Sequence, residues 1–280
     1  MWQLPLGLLF LLCLESAIEN ADAWITSGGA PRGQRGIALR LRMDSSSLPS
    51  EVKVVNGEAE VLRRTADFLS RAMYETQMPE GQRKELRRLE FQDLQQRYGA
   101  TVGRRKFPSV LLLSLQDQDI VGCVGLDCQV LNNERKRFTT IKQDRPNSLY
   151  PFLEANGVEE IVCVMANLAV RRSSRGRGVA KKLIESAENN ARESGFEYVY
   201  LLVDSENLPA QKLYKKMGYS MVFRQEDATC VVSGPIGLKT QECVNLCMRK
   251  RVSRGAGGGA GVGGVIQGIS DFFSQLGGKK

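Results

Sequence analysis

A turn rich in arginine and glycine is the first feature of this sequence that could do chemistry. The run Arg175-Gly176-Arg177-Gly178-Val179-Ala180 lies between a strongly apolar stretch and a segment with helical periodicity. Glycines let the backbone approach a ligand closely, and the first turn of a helix presents free N–H groups at the positive end of its dipole. We therefore expect a pyrophosphate site here. The run is neither a Walker loop nor a dinucleotide fingerprint, and an Arg-Gly RNA-binding patch or a simple helix cap would also account for it.

The chain contains no histidine, which limits its catalytic groups. This excludes a Ser-His-Asp triad, a histidine metal ligand and a histidine base, and without a Cys-x-x-Cys pair we predict no metal site. Glu159 and Glu160 could act as bases through water, but solvated carboxylates are the simpler interpretation and a water chain is the default base. Cys163 lies between Val162 and Val164. We expect a buried, inert thiol there rather than an acyl carrier, and reduced cysteines overall.

The elements that must hold these groups follow from hydrophobic periodicity. Apolar spacing predicts helices over 58–75, 80–98, 177–194 and 207–217. Apolar runs predict strands over 109–116, 120–131, 160–170, 197–203, 219–224 and 241–249, with a turn at 116–119 and a polar loop or insertion over 132–156. Strand–helix–strand–helix after an antiparallel hairpin indicates an α/β fold built on a mixed sheet.

Two segments about thirty residues apart carry the motifs of one known family. Arg175, Gly178 and Ala180 form an Arg-x-x-Gly-x-Ala pattern. Residues 207–219 read Asn-Leu-Pro-Ala-Gln-Lys-Leu-Tyr-Lys-Lys-Met-Gly-Tyr. The first is similar to the coenzyme A signature of the GNAT superfamily of N-acetyltransferases, and the second resembles that superfamily's Asn-x-x-Ala-x-x-Leu-Tyr-x-Lys-x-Gly-Tyr segment. The resemblance covers roughly residues 52–250 and implies a central mixed β-sheet with splayed parallel strands, flanked by helices.

The resemblance implies acetyl-CoA as co-substrate and suggests where it binds. The main chain of Leu168, Ala169 and Val170 would hydrogen-bond the pantetheine arm as an added strand. The pyrophosphate would lie on the turn formed by Arg175, Gly176, Arg177, Gly178, Val179, Ala180 and Lys181. Where two parallel strands diverge, Asn207, Leu208 and Pro209 would line the cofactor, and Asn207 would also cap a helix. Tyr214 would protonate the departing CoA thiolate, although an aromatic that fills helix–sheet space is the alternative.

The function implied is acetyl transfer to a primary amine by direct attack in a ternary complex. A protein lysine or protein N-terminus is the predicted acceptor, and a small amine such as an arylalkylamine is the runner-up. A non-catalytic acyl-CoA-binding protein and an RNA-associated protein are alternatives from other classes. Residues 250–280 hold five basic residues and one acidic residue, half of the net charge of +8. The remaining domain is only modestly basic and lacks aromatic residues among Arg171–Arg177, so we predict no nucleic-acid partner.

The two ends of the chain differ in composition from the middle. Residues 1–23 resemble a secretory signal, and 24–48 form a basic, acid-poor, transit-like segment. Together they resemble the bipartite leaders of algae with complex plastids, so we predict a plastid protein of the kind found in algae and plants, with simple secretion as the alternative. We assign 50–252 to the N-acetyltransferase domain, with no membrane span in the mature chain. The glycine-rich tail, 253–280, ends in a short amphipathic segment that could dock or stay disordered.

Overall fold

The computed structural model describes residues 51–55, 57–73, 78–99, 109–140 and 158–253. The leader, the transit-like segment and the tail beyond residue 253 lie outside these ranges. The strands are β1 Glu51–Val55, β2 Val110–Gln116, β3 Asp119–Asn132, β4 Arg137–Thr140, β5 Glu159–Val170, β6 Tyr198–Asp204, β7 Ser220–Ser233 and β8 Leu238–Arg251. The helices are α1 Ala59–Ala72, α2 Glu80–Tyr98, α3 Val179–Glu193 and α4 Leu208–Lys216. Within these ranges no helix is long and apolar enough to span a bilayer.

The strands form a single eight-stranded mixed sheet, which confirms the predicted α/β class. Seven strands follow the order β1-β2-β3-β5-β6-β8-β7, and β4 pairs with β3. Among the described strands β5 and β6 are the one parallel pair, and every other pairing is antiparallel. The parallel pair is joined through α3, as a crossover between parallel strands requires.

The two faces of the sheet are covered differently. The face that we call the α3 face packs against α3 and α4 and forms the largest apolar cluster, with Leu183 and Ile184 completely buried. The predicted apolar stripe of α3, which also includes Val179, Ala187 and Ala191, is buried as expected. The opposite face, which we call the α2 face, packs in part against α1 and α2.

Several predicted boundaries were wrong, mostly at strands. The segment predicted as a loop from residue 132 contains the end of β3 and all of β4. Strand β4 is held because Phe138 stacks on Phe223 and Arg137 forms an ion pair with Asp227. Residues 141–156 of that segment lie outside the described residues. The last two strands are much longer than predicted, because two irregularities in their register break the apolar alternation.

The first strand and the start of α3 also differ from prediction. No strand was predicted over β1, whose five residues are too few for a periodic signal. Helix α3 begins at Val179 rather than at residue 177, because Gly178 has a φ of 81° and cannot continue a right-handed helix.

Candidate functional site

The parallel strands β5 and β6 separate halfway along their length. Their pairing is limited to Cys163–Val199, Val164–Tyr200 and Met165–Leu201. Beyond this point β5 continues beside β3 and β6 continues beside β8. Among the described strands, the edge of β5 that faces β6 therefore has no partner from Ala166 to Val170. The three predicted pantetheine-binding residues, 168–170, lie along this edge of the cleft, as the splayed-strand prediction requires.

A bulge in β5 accompanies the separation. Gly125 of β3 pairs with Ala166 and Cys123 pairs with Ala169, so two residues of β5 lie opposite one of β3. One of these two is Asn167, whose φ is 55°, a left-handed conformation that asparagine tolerates better than most residues. The Sγ of Cys123 donates a hydrogen bond of 3.3 Å to the carbonyl oxygen of Asn167. Because a bulge bends its strand, this distortion helps to turn β5 away from β6.

The arginine- and glycine-rich turn follows the open end of β5. Gly176 and Gly178 have φ angles of 74° and 81°, and a Cβ atom at either position would have no atom of the described residues within 4 Å. Within the described chain the backbone of the turn is therefore open to a ligand. No side chain of the described residues caps α3, and the N–H groups of its first turn, at residues 179–181, have no acceptor within the helix. These N–H groups and the helix dipole suit an anion with several oxygens.

Two cationic side chains of this turn, those of Arg175 and Lys181, contact other groups of the chain. The Nε of Arg175 donates to the Val170 carbonyl oxygen and its Nη2 donates to the Ala72 carbonyl oxygen, each at 3.1 Å. Lys181 lies 3.8 Å from the Glu185 carboxylate on the exposed side of α3. Arg175 thus ties the turn to the end of β5 and to α1, and the anion-binding groups of the turn are chiefly its main-chain N–H groups.

Helix α4 begins where β6 ends, on the other side of the cleft. Asn207 caps the helix as predicted, since its Oδ1 accepts a hydrogen bond of 3.0 Å from the Ala210 N–H. Leu208 exposes 58% of its surface, although it is large and apolar. Gln211 donates to the carbonyl oxygens of Asp204 and Ser205 and so fixes the turn between β6 and α4. Sequence reasoning missed Gln211, because nothing in its local pattern distinguishes it from a solvated helix residue.

Tyr214 lies on α4 and is buried, with 8% of its surface exposed. It belongs to the same apolar cluster as Met165 and Leu201, the last residues that pair before β5 and β6 separate. Its ring meets the ring of Tyr219 edge to face, with centroids 5.8 Å apart. Tyr214 therefore has the packing role that was the alternative interpretation, and its catalytic role stays a prediction.

The carboxylates considered as bases lie at the wrong end of β5. Glu159 accepts a hydrogen bond from Asn132, and Glu160 accepts one of 3.5 Å from the Tyr200 hydroxyl. Both begin the strand, whereas the cleft opens at its other end. Cys163 is buried, and burial raises the pKa of its thiol, as expected for an inert cysteine. Among the described residues no group of three or more Cys, Asp or Glu side chains could hold a metal ion.

The α2 face carries a buried ionic network that sequence reasoning also missed. Arg97 donates to Asp93 at 2.9 Å and to Asp127 at 3.0 Å, and all three side chains are at most 5% exposed. Ser109 donates to the second oxygen of Asp127 at 2.8 Å. Burial and the nearby Asp93 raise the pKa of Glu90 to about 8. The four charged side chains at positions 90, 93, 97 and 127 carried no sequence signal for burial, because charged residues usually lie at the protein surface.

Comparison with known proteins identifies the family of this chain. A model of the "Acetyltransferase (GNAT) family" matches residues 70–219. An Arabidopsis thaliana protein named "GCN5-related N-acetyltransferase 6, chloroplastic" is 43% identical over 58 residues, which are 21% of this chain and 20% of that protein. A Haemophilus ducreyi [ribosomal protein bS18]-alanine N-acetyltransferase is 27% identical over 93 residues, 33% of this chain and 63% of that protein. The chain thus spans about a fifth of the length of the Arabidopsis relative that it matches.

Solved acetyltransferase structures are also among the proteins to which this chain is similar. An acetyltransferase of the GNAT family from Streptococcus pneumoniae has a TM-score of 0.45 at 17% identity, over 72% of this chain and 99% of that one. The PaiA N-acetyltransferase of Thermoplasma acidophilum, solved in complex with coenzyme A, has a TM-score of 0.45 at 12% identity, with the same coverage.

The matched range 70–219 contains the open edge of β5, the glycine-rich turn and the helix that carries Tyr214. These are the elements on which the sequence motifs depend. Since that range is more than half of the chain, the protein belongs to the GNAT family of acetyltransferases.

Proposed function

We propose that this protein transfers the acetyl group of acetyl-CoA to a primary amine of a protein or peptide. The observation that carries the proposal is the meeting of three features at the carboxyl ends of two parallel strands. There β5 offers an unpaired edge, the glycine-rich turn offers free N–H groups, and the Asn207 cap begins α4. Ligands of open α/β sheets bind where neighbouring strands diverge in this way.

The cleft fits the parts of acetyl-CoA in order. The two amides of the pantetheine arm would pair with main-chain groups of residues 166–170, as a strand does at a sheet edge. The pyrophosphate would lie against the N–H groups at residues 178–181, where the helix dipole favours negative charge. Leu208 and Pro209, beyond the Asn207 cap, would contact the cofactor from the β6 side.

The chemistry would need no covalent enzyme intermediate. The neutral amine nitrogen attacks the thioester carbon, the C–N bond forms, and the C–S bond breaks as CoA thiolate leaves. Tyr214 would give its phenolic proton to that sulfur, and a proton lost by the new amide nitrogen would restore the phenol. The buried Cys163 takes no part, since burial raises the pKa of its thiol.

Protein and peptide amines are the proposed acceptors, and small amines are the second class to test. Among the relatives, one is named for the alanine of a ribosomal protein and another for D-amino acids. The names of two Arabidopsis relatives include "chloroplastic", which supports a plastid location together with the transit-like leader.

The test is acetyl transfer from labelled acetyl-CoA to a panel of peptides with free N-termini, peptides with internal lysines, and small amines. We expect transfer to peptides and at least a hundredfold weaker acetyl-CoA binding in Gly178→Glu, because a carboxylate at an anion site repels the pyrophosphate. The control is Gly178→Ala, which places a Cβ at the same positive φ without a charge and so separates backbone strain from charge repulsion. If the wild type binds no acetyl-CoA, or if Gly178→Glu binds it normally, the proposal is wrong.

A further inference from the structure

A row of three polar side chains crosses three strands beside the cleft. Asp204 at the end of β6 pairs with Asn245 on β8, and Asn245 pairs with Gln225 on β7. Paired residues of neighbouring antiparallel strands point to the same side of the sheet, roughly 5 Å apart. Val203, the neighbour of Asp204, packs on the α3 face, so the row lies on the α2 face. We call these three residues the acceptor row.

Two members of the acceptor row have unsatisfied oxygens. Asn245 is 2% exposed, and its Oδ1 has no hydrogen-bond partner in the described part of the chain. The Oε1 of Gln225, beside it, is also buried and unpartnered among those residues. Buried polar groups almost always have a partner, so two neighbouring amide oxygens without one indicate a ligand that donates hydrogen bonds.

A third unpartnered group lies over β3, the strand that borders β5 on the side away from β6. The hydroxyl of Tyr98 is buried and has no partner within the described ranges. It packs so closely on Gly125 that any side chain there would collide with it. Gly125 pairs with Ala166, the first residue of β5 beyond the separation from β6. On the α2 face an unsatisfied polar group therefore also lies one strand away from the cleft, across β5.

The chemistry of the acceptor row matches a primary ammonium. An ammonium has three N–H donors and no acceptor, and the row offers one carboxylate and two amide oxygens. Oδ1 of Asp204 accepts the Glu206 N–H at 2.8 Å, so its Oδ2 is the oxygen for the ligand. Burial raises the pKa of Asp204, which makes its carboxylate a better proton acceptor. Glu206 is the titratable residue that acts on this carboxyl in the described chain, and Asp204 in turn helps to raise the pKa of the Cys243 thiol.

The following inference rests on the proposed function. We propose that Asp204, Asn245 and Gln225 bind the protonated acceptor amine and that Asp204 removes its proton. The ammonium N–H bond breaks, the proton passes to Oδ2 of Asp204, and the freed lone pair attacks the thioester carbon. The proton then leaves Asp204 for solvent. In this arrangement the base lies on the α2 face and Tyr214 lies on the α3 face. The amine would therefore lose its proton on one side of the sheet, and the leaving thiolate would gain one on the other side.

The test measures binding of the acceptor peptide and binding of acetyl-CoA separately. With a peptide that has a free N-terminal alanine as probe, Asn245→Leu should raise the peptide KM at least tenfold and change the Kd of acetyl-CoA less than twofold. Asp204→Asn should lower kcat/KM at least a hundredfold and remove the acid limb of its pH profile. Asn245→Asp should retain binding of the peptide, since it keeps an acceptor oxygen at the same place.

The control is Gln129→Leu, which removes another buried amide from the α2 face, opposite Val162 and away from the cleft; its Nε2 has no hydrogen-bond partner among the described residues. It should change the peptide KM less than twofold. A wild-type-like peptide KM in Asn245→Leu, or an unchanged pH profile in Asp204→Asn, overturns this inference while leaving the proposed function intact. A wild type that binds no acetyl-CoA, or transfers to no amine, overturns both. Acetyl-CoA binding by each variant shows that it is folded.

Discussion

The two faces of the central sheet differ in the kinds of side chain that they bury. On the α3 face, helices α3 and α4 cover the sheet with apolar side chains, and the core there depends on close packing. On the α2 face, helix α2 brings Glu90, Asp93 and Arg97 against the sheet, where Asp127 meets them. Packing tolerates exchange among apolar residues of similar volume, whereas a buried ionic network fails if one member is lost. The comparison therefore predicts that the two faces respond differently to substitution and to pH.

The largest effect is expected at the centre of the ionic network. Arg97→Leu leaves two buried carboxylates without their cation and should lower the free energy of unfolding by about 3–5 kcal/mol. Urea unfolding followed by circular dichroism measures this value. The matched control is Arg88→Leu on the same helix, where Arg88 is half exposed and pairs with Glu85, and the change should stay below about 1 kcal/mol. Equal effects of the two substitutions would show that the network contributes nothing specific.

The next largest effect is a dependence of stability on pH, which arises from Glu90 on the α2 face. Glu90 has a folded pKa of about 8, above its ordinary value of 4.5, so the folded state holds a proton that the unfolded state has lost between these values. Stability is therefore full below about pH 4.5 and falls as pH rises, by about 1.4 kcal/mol per unit, or roughly 2–3 kcal/mol between pH 6 and pH 8. Glu90→Gln should remove this fall.

Two controls sharpen the pH comparison. Glu85→Gln, on the exposed side of α2, should leave the fall unchanged. Leu183→Ala, on the α3 face, should lower stability by about 3 kcal/mol at both pH values, because a cavity has no proton to lose. A fall with pH that survives Glu90→Gln would place its origin elsewhere in the molecule.

A smaller effect, on turnover rather than stability, is expected at Tyr214. Tyr214→Phe keeps the ring in the apolar cluster and removes the proton offered to the thiolate, so kcat should fall about tenfold to a hundredfold. The acetyl-CoA Kd and the free energy of unfolding should change little. Steady-state kinetics with the peptide that the wild type acetylates best measure kcat. An unchanged kcat would leave Tyr214 with its packing role alone.

The smallest effect is expected at the neighbouring ring. Tyr219→Phe removes a buried hydroxyl that lies beside the Glu188 carboxylate, so the free energy of unfolding should change by no more than about 1 kcal/mol. Its kcat should match that of the wild type. This variant is the control for Tyr214→Phe, because the two rings touch on the same face. Loss of turnover in both variants would point to ring packing rather than to proton transfer.

Local chemistry could be predicted from the sequence because its causes lie within a few residues. Helical periodicity predicts the buried stripe of α3, and the glycine at position 178 predicts the turn before it, although the exact start of the helix depended on its positive φ. Asn207 predicts a cap because its side chain reaches only three residues along the chain. The motifs on these elements were sufficient for the family resemblance.

Tertiary structure alone decided the features that depend on distant partners. Arg97 meets Asp127 from 30 positions away, and Asp204, Asn245 and Gln225 come together through the register of three strands. The bulge at Asn167 and the full length of β7 and β8 arise in the same way, from pairing between strands. A sequence pattern reports what a residue does to its own segment, because backbone conformation and periodicity are local. Which buried polar groups meet, and therefore where the proposed base lies, is decided only when the segments pack.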